Sequence, residues 1–393
     1  MSSNDPIVIV DGARTPMGSF GGAFSPFSSP ELGSIAIKAA IEKSGIKSED
    51  IDEVFMGCVL QAGLKQAPAR QAAVKAGIPN SAGAVTVNKV CGSGMQAVIF
   101  AHDQIKLGSA KIAVAGGMES MTNAPHLVRG RNGIGSGHKT IDDCMFLDGL
   151  EDAATGASMG KFAQETADAH DLTREGMDEY AIKSLTKTSQ AITDKLLFDE
   201  IVPVTVKTRK EEFVVEHDEQ PQRARVDKIP TLKPAFAENG TITAANASSI
   251  SDGASAMVLM AESESESRGL KPMARIIGYA RHSHESEKFT LTPIGSIQKL
   301  FEKTGWDKDS TDLFEINEAF AMVPMIITRE LGLDSEKVNI HGGACAQGHP
   351  LGSTASRIVI SLMYSLKRYG KKRGIATMCI GGGESLAMAI EVV

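Results

Sequence analysis

Residues 87–120 read "VNKVCGSGMQAVIFAHDQIKLGSAKIAVAGGMES". The chain repeats the plan near its end, with "VNIHGGACAQGHPLGSTASRIVI" from Val338 and then "YGKKRGIATMCIGGGES" up to Ser385. Both stretches begin with Val-Asn, cross a glycine-rich turn, and continue through a helical pattern into an apolar strand. Both close on a glycine cluster followed by Glu-Ser. Five features in the same order predict a duplication, and hence two similar α/β halves. Working outward, strand-like and helix-like runs alternate: "PIVIV", "PELGSIAIKAAIEKSG", "IDEVFMGCVLQ", "RQAAVKAGI". Short apolar runs without strict alternation read as strands buried on both faces, so the expected class is α/β with a parallel-leaning sheet.

Residues 121–250 break this rhythm. "NAPHLVRGRNGIGSGHKT" is glycine-rich and basic, and "KTRKEEFVVEHDEQPQRARVDKIPTLKPAFAENG" is charged and carries prolines. Between them "TREGMDEYAIKSLTKTSQAITDKLL" predicts a long helix capped by Thr173 with Glu175 in its first turn. The region reads as an insertion covering a site. The expected division is 1–120 with 251–272 as one half, 121–250 as the insertion, and 273–393 as the other half.

Composition narrows the function. The 393 residues carry a net charge of −7 and 5% aromatics. Neither a basic excess nor a stacking surface for bases is present, so nucleic acid is not an expected partner. No apolar run has the length of a bilayer span, so no membrane is expected either. Five widely spaced cysteines (Cys58, Cys91, Cys144, Cys345, Cys379) make neither a disulfide framework nor a zinc-ligand pattern. A reducing, cytoplasmic setting is expected, with no metal.

Cys91 follows a strand-like run and precedes a helical one. A thiol at a helix N-terminus meets the positive end of the helix dipole, which predicts a stabilised thiolate. His349 lies in a second glycine-rich turn, followed by Pro350, with little local apolar surface to pack against. It is the natural base for a cysteine nucleophile. Cys379 ends a strand-like run in "CIGGGES" and can serve as a second proton carrier. Asn317, in "FEINEAFA", can orient a water or donor toward a carbonyl oxygen.

These residues carry a resemblance. "VNKVCGSGMQAV", "AVAGGMESMTNAPHL", "TITAANASSISDGASA", "NEAFA", "GHPLGSTASR" and "CIGGGES" resemble the thiolase family, and within it the biosynthetic acetoacetyl-CoA thiolases, almost end to end. The resemblance implies a layered α-β-α-β-α arrangement of two halves with an inserted loop domain over coenzyme A. It implies condensation of two acetyl-CoA to acetoacetyl-CoA plus CoA, and the reverse, with coenzyme A a substrate and no cofactor. In this scheme Cys91 is acylated, His349 activates it, and Cys379 moves the α-proton. Asn317 holds a water that forms one oxyanion hole with His349; the N–H groups of Cys91 and Gly381 form the other. Leu150, Met159, Ala244, Ser248, Ala319 and Phe320 are the matching coenzyme A positions, and a homotetramer built from dimers is implied. Arg223 and Arg225 are weaker candidates for the nucleotide.

The sequence departs from the family pattern at Ser158, where many short-chain members carry histidine, and at Cys345 and Gln347, where aliphatic residues are usual. Cys345, Cys58 and Cys144 read as packing residues. Two alternatives stay open at this point. One is a broad-range 3-ketoacyl-CoA thiolase of fatty-acid degradation; the other is a non-catalytic acyl-CoA- or lipid-binding member of the fold.

Overall fold

The computed structural model describes residues 5–131 and 133–393. Its main sheet holds nine strands and the short Gly18–Ser19. They are β1 (Ile7–Arg14), β2 (Glu53–Gly57), β3 (Gly83–Val87), β4 (Ile112–Ser120), β5 (Ser251–Ala261), β6 (Ala274–Ser283), β7 (Leu313–Ile316), β8 (Arg373–Ile380) and β9 (Glu384–Val392). Across the sheet the order is β7-β8-β9-β6-β1-β5-β4-β2-β3. The duplication is visible in the pairing. β2 runs parallel to β4, which runs antiparallel to β5; likewise β7 runs parallel to β8, which runs antiparallel to β9. The halves join edge to edge where Val8 opposes Arg275 and Ile9 opposes Ala274.

The expectation of a parallel-leaning sheet is corrected: the middle of the sheet, β8-β9-β6-β1-β5-β4, is antiparallel throughout. The reason is local. Gly382 and Gly383 have φ of 88° and 85°, making a tight reversal between β8 and β9 that only glycine adopts readily. A hairpin of that length can join only antiparallel strands. Complete burial on both faces, as along β4 and β5, removes the alternation by which an antiparallel strand is usually read.

Six helices frame the site: α1 (Ser29–Ser44), α2 (Ser93–Lys106), α3 (Met159–Ala169), α4 (Arg174–Thr193), α5 (Thr292–Thr304) and α6 (Leu351–Arg368). α1 covers β1, β4 and β5 from outside, and α5 covers β6, β8 and β9. Helices α2 and α6 lie side by side between the halves, and α6 packs on strands of both. Five layers result, α-β-α-β-α. Ile99, Ile105, Ile358, Leu362, Leu366, Met378 and Met388 fill the central core. At the seam the backbones nearly touch: a Cβ on Gly117 would lie 1.8 Å from the Gly352 carbonyl oxygen, and one on Gly94 would lie 2.5 Å from Ser356 Oγ. No residue but glycine fits either place.

The chain between β4 and β5 is tied down from several sides. Thr173 Oγ1 accepts the Gly176 N–H at 3.1 Å, so α4 begins at the cap its sequence predicts. Arg14 of β1 is buried and grips Glu200 at 2.6 Å and Asp218 at 2.7 Å. Losing one member of such a buried cluster leaves an uncompensated charge, at a cost of about 3–5 kcal/mol. Near the site, Ser248 N–H donates to the Ala319 carbonyl at 3.0 Å, and Ala321 N–H to that of Asn246 at 2.7 Å.

Candidate active site

A cavity of about 580 Å³ opens between this inserted region and the two halves. Cys91, His349 and Gly381 line it, as do Leu150, Met159, Ala244, Ser248, Ala319 and Phe320. Asn317 and Cys379, each 1% exposed, lie buried at the ends of β7 and β8. Sequence reasoning missed Met121, Phe146, Phe236, Phe289 and Leu351, which make the cavity mostly apolar. Phe236 packs edge-on against Phe320 with ring centroids 6.1 Å apart. An isolated phenylalanine after Pro234 in a charged loop was the available signal for it.

Cys91 sits two residues ahead of the first residue of α2, and its turn is strained. Val90 has φ 45°, a left-handed conformation that a β-branched residue rarely adopts. Ser93 Oγ holds the turn closed, accepting from Lys89 N–H at 2.8 Å and donating to the Val90 carbonyl at 2.6 Å. The N–H groups of Gly381 and of Cys91 itself hydrogen-bond the sulphur and favour its thiolate. Burial nevertheless dominates, with Glu119 opposing ionisation too, and pushes the Cys91 thiol up to about 11. The sequence expectation of a stabilised thiolate is therefore corrected. The helix end is present, but desolvation outweighs it, and Cys91 rests as a thiol that could act as a nucleophile only with a base to take its proton.

His349 is placed to supply one. Thr354 Oγ1 lies 2.7 Å from His349 Nδ1 and 2.9 Å from the Pro350 carbonyl; with its one proton donated to that carbonyl, it accepts from the ring. In that tautomer Nδ1 carries the proton and Nε2 is left as a lone-pair acceptor. Burial, with Arg357 adding to it, pushes His349 down to about 3, so the ring is neutral at working pH. Among the described residues Nε2 has no partner, and neither has the amide nitrogen or oxygen of Asn317. Buried polar atoms of this kind cost about 1–3 kcal/mol each unless something satisfies them. Burial also raises the Cys379 thiol, and the proximity of Cys91 raises it further.

The remaining predicted positions fall into place as structure. Ser158 Oγ caps α3 through Lys161 N–H at 3.2 Å while lining the cavity. Cys345 is buried, its N–H donating to Glu318 Oε2 at 3.1 Å. Cys58 and Cys144 are buried as well. Arg223 and Arg225 line a second opening with Lys228, which shares Ser19, Gln220 and Ala244 with the main cavity. Among the described residues no group of three or more His, Cys, Asp or Glu is placed to hold a metal, and no helix is long and apolar enough to cross a membrane.

A strained cysteine turn, a neutral histidine and a second thiol, gathered from two duplicated α/β halves, define the thiolase class. The chain belongs to that family: the thiolase N-terminal domain matches residues 7–263 and the thiolase C-terminal domain residues 270–392. It is 46% identical to an acetyl-CoA acetyltransferase of Schizosaccharomyces pombe, over 99% of this chain and all of that protein. It is 45% identical to the cytosolic acetyl-CoA acetyltransferase ERG10 of Gibberella zeae, over 100% and 99%. Among solved structures, the Acat5 thiolase of Ascaris suum in complex with coenzyme A superposes with a TM-score of 0.94 at 40% identity, covering 99% of this chain and 100% of that one.

Proposed function

We infer that this chain condenses two acetyl-CoA to acetoacetyl-CoA and free coenzyme A, and catalyses the reverse thiolysis. The observation that carries the reading is the convergence on one apolar cavity of Cys91, the Gly381 N–H and a neutral His349, together with a buried Asn317 amide left without a partner among the described residues. Relatives about 45% identical over the whole chain bear the matching name. Neither alternative is favoured. In the first half-reaction the Cys91 proton passes to His349 Nε2, the sulphur takes the acetyl group, and the departing coenzyme A sulphur receives that proton. In the second, Cys379 gives its proton to the now neutral His349 and takes one from the α-carbon of a second acetyl-CoA. The enolate attacks the acetyl group on Cys91, and the expelled Cys91 sulphur recovers a proton from His349. The N–H groups of Cys91 and Gly381 steady the oxyanion in one step, and His349 with an Asn317-held water steadies the enolate.

Coenzyme A lies under the segment 121–250 in this reading. The small Ala244 and Ala319 leave room for pantetheine, Ser248 meets its amides, and the opening at Arg223, Arg225 and Lys228 faces the nucleotide phosphates. The test is thiolysis of acetoacetyl-CoA against a long-chain 3-ketoacyl-CoA, on the native chain and on Ala244→Trp. The short substrate should turn over faster. The substitution should raise KM for coenzyme A at least ~10-fold, the loss expected when about 1.4 kcal/mol of binding is removed. A preference for the long substrate would make the enzyme a degradative thiolase, and an unchanged KM would move the tunnel elsewhere.

A tetramer and a cytoplasmic setting complete the proposal. The edge strand β3 carries the half-exposed Val85, with Phe100 also exposed nearby on α2, a surface suited to strand pairing between two copies. His126–Leu127 pairs with Asp142–Asp143, and between them Val128, Ile134 and Ile141 are exposed on an arm that can join dimers. Light scattering should give the mass of four chains, and a monomer at micromolar concentration would refute the assembly. Five free thiols and the cytosolic relative support the compartment; a disulfide in protein taken directly from cells would contradict it.

A further inference from the structure

We propose that Glu119 is a positioning residue that locks the nucleophile side of the site to the base side, an inference that rests on the transferase reading above. Glu119 is the next-to-last residue of the run "GGMES" that ends β4 and is fully buried. No arginine or lysine pairs with it among the described residues. Its carboxylate is held by three backbone N–H groups, with the Cys58 thiol donating to Oε1 at 3.7 Å. Oε2 accepts the Val59 N–H at 3.0 Å and the Gly352 N–H at 2.8 Å, and Oε1 accepts the Leu60 N–H at 3.1 Å. These donors belong to different halves. Val59 and Leu60 follow β2 and pack in the apolar cluster that Cys91 and Leu351 also touch. Gly352 stands in the first turn of α6, three residues after His349.

One buried carboxylate therefore spans from the loop behind the nucleophile to the turn behind the base. It also bears on the nucleophile electrically. Among the described residues the titratable groups around Cys91 are Glu119, Cys379, His349 and the buried Cys144 of the same apolar cluster, and of these only Glu119 is a carboxylate that opposes thiolate formation by its charge. Burial raises Glu119 to about 7 against the pull of its N–H donors and the Cys58 thiol, so it is about half ionised at neutrality and carries its full charge in the alkaline range where Cys91 titrates.

Glu119→Gln tests the assignment. A glutamine keeps one acceptor oxygen and turns an NH₂ group toward a backbone N–H, so one side of the span is lost. Expected are a fall of ~10-fold or more in kcat for thiolysis, consistent with the loss of one bond to a charged acceptor, an unchanged KM for coenzyme A, and a lower pH midpoint for alkylation of Cys91 by iodoacetamide. A residue that only supports the fold would not move that midpoint. A kcat within twofold of native, or a loss of kcat with the midpoint unmoved, overturns the proposal. Should Glu119→Gln fail to fold, Glu119→Asp decides: it keeps the charge but retracts it, and kcat should fall at unchanged KM, whereas native kcat overturns the proposal. Native protein that turns over no acetoacetyl-CoA would instead refute the transferase reading.

Discussion

Cys379→Ala is expected to accept an acetyl group onto Cys91 from acetyl-CoA, yet to fail at making or breaking the carbon–carbon bond. Only that second chemistry needs a proton moved at the α-carbon, and Cys379 is the buried thiol beside Cys91 that can move it. Removing one general acid/base costs about 10²–10⁴-fold, so thiolysis of acetoacetyl-CoA should fall by that much while acetyl exchange into labelled coenzyme A persists. Cys91→Ala should lose both. Mass spectrometry should place the acetyl label of the Cys379 variant on Cys91, and a label on Cys345 or Cys58 would refute the assignment. If Cys379→Ala loses exchange as completely as thiolysis while still folded, the division of labour is wrong.

The second large effect belongs to His349. With the Cys91 thiol at about 11, only about one molecule in a thousand holds a thiolate at pH 8, from the definition of pKa. A neutral imidazole beside the cavity, its buried Nε2 without a partner among the described residues, removes that handicap by taking the proton as the sulphur attacks. His349→Ala should therefore slow acetylation of Cys91 by about 10²–10⁴-fold near neutrality. The residual rate should climb about tenfold per pH unit toward the thiol's own pKa, because only the thiolate reacts. The native enzyme should show no histidine limb between pH 5 and 8, since His349 titrates at about 3. A variant whose residual rate is flat with pH would mean that another group deprotonates Cys91.

That Cys91, His349 and Gly381 meet in one cavity was legible because each is punctuated. Cys91, His349 and Gly381 stand on glycine-rich turns, and such turns mark where backbone and substrate come close. The duplication was legible from order alone. The apolar wall was not: Met121, Phe146, Phe236 and Leu351 come from four separate segments, and nothing in their spacing says that they meet. Glu119 stood inside a recognised motif without an assigned task, because its close partners are backbone N–H groups at residues 59, 60 and 352, which carry no side-chain signature, and the one side chain that joins them, the Cys58 thiol at 3.7 Å, reads as packing. The ionisation of Cys91 was misjudged for a related reason. A helix end is written in the local sequence, whereas the desolvation that outweighs it comes from residues hundreds of positions away.

The place of β1 in the sheet has a consequence for how the molecule is made. β1 is the first strand to leave the ribosome, yet both of its neighbours, β5 and β6, lie beyond residue 250, and Ile7 finds its partner at Ala261. At about 5–20 residues per second, translation takes roughly 12–50 seconds to deliver that partner. Until then "IVIVDGAR" is an apolar strand with two open edges, the kind of segment that aggregates or is held by a chaperone. The long wait slows folding through contacts distant in sequence. It also means that a chain truncated before β5 cannot close even its first half, so the two halves, though copies in plan, mature as one unit.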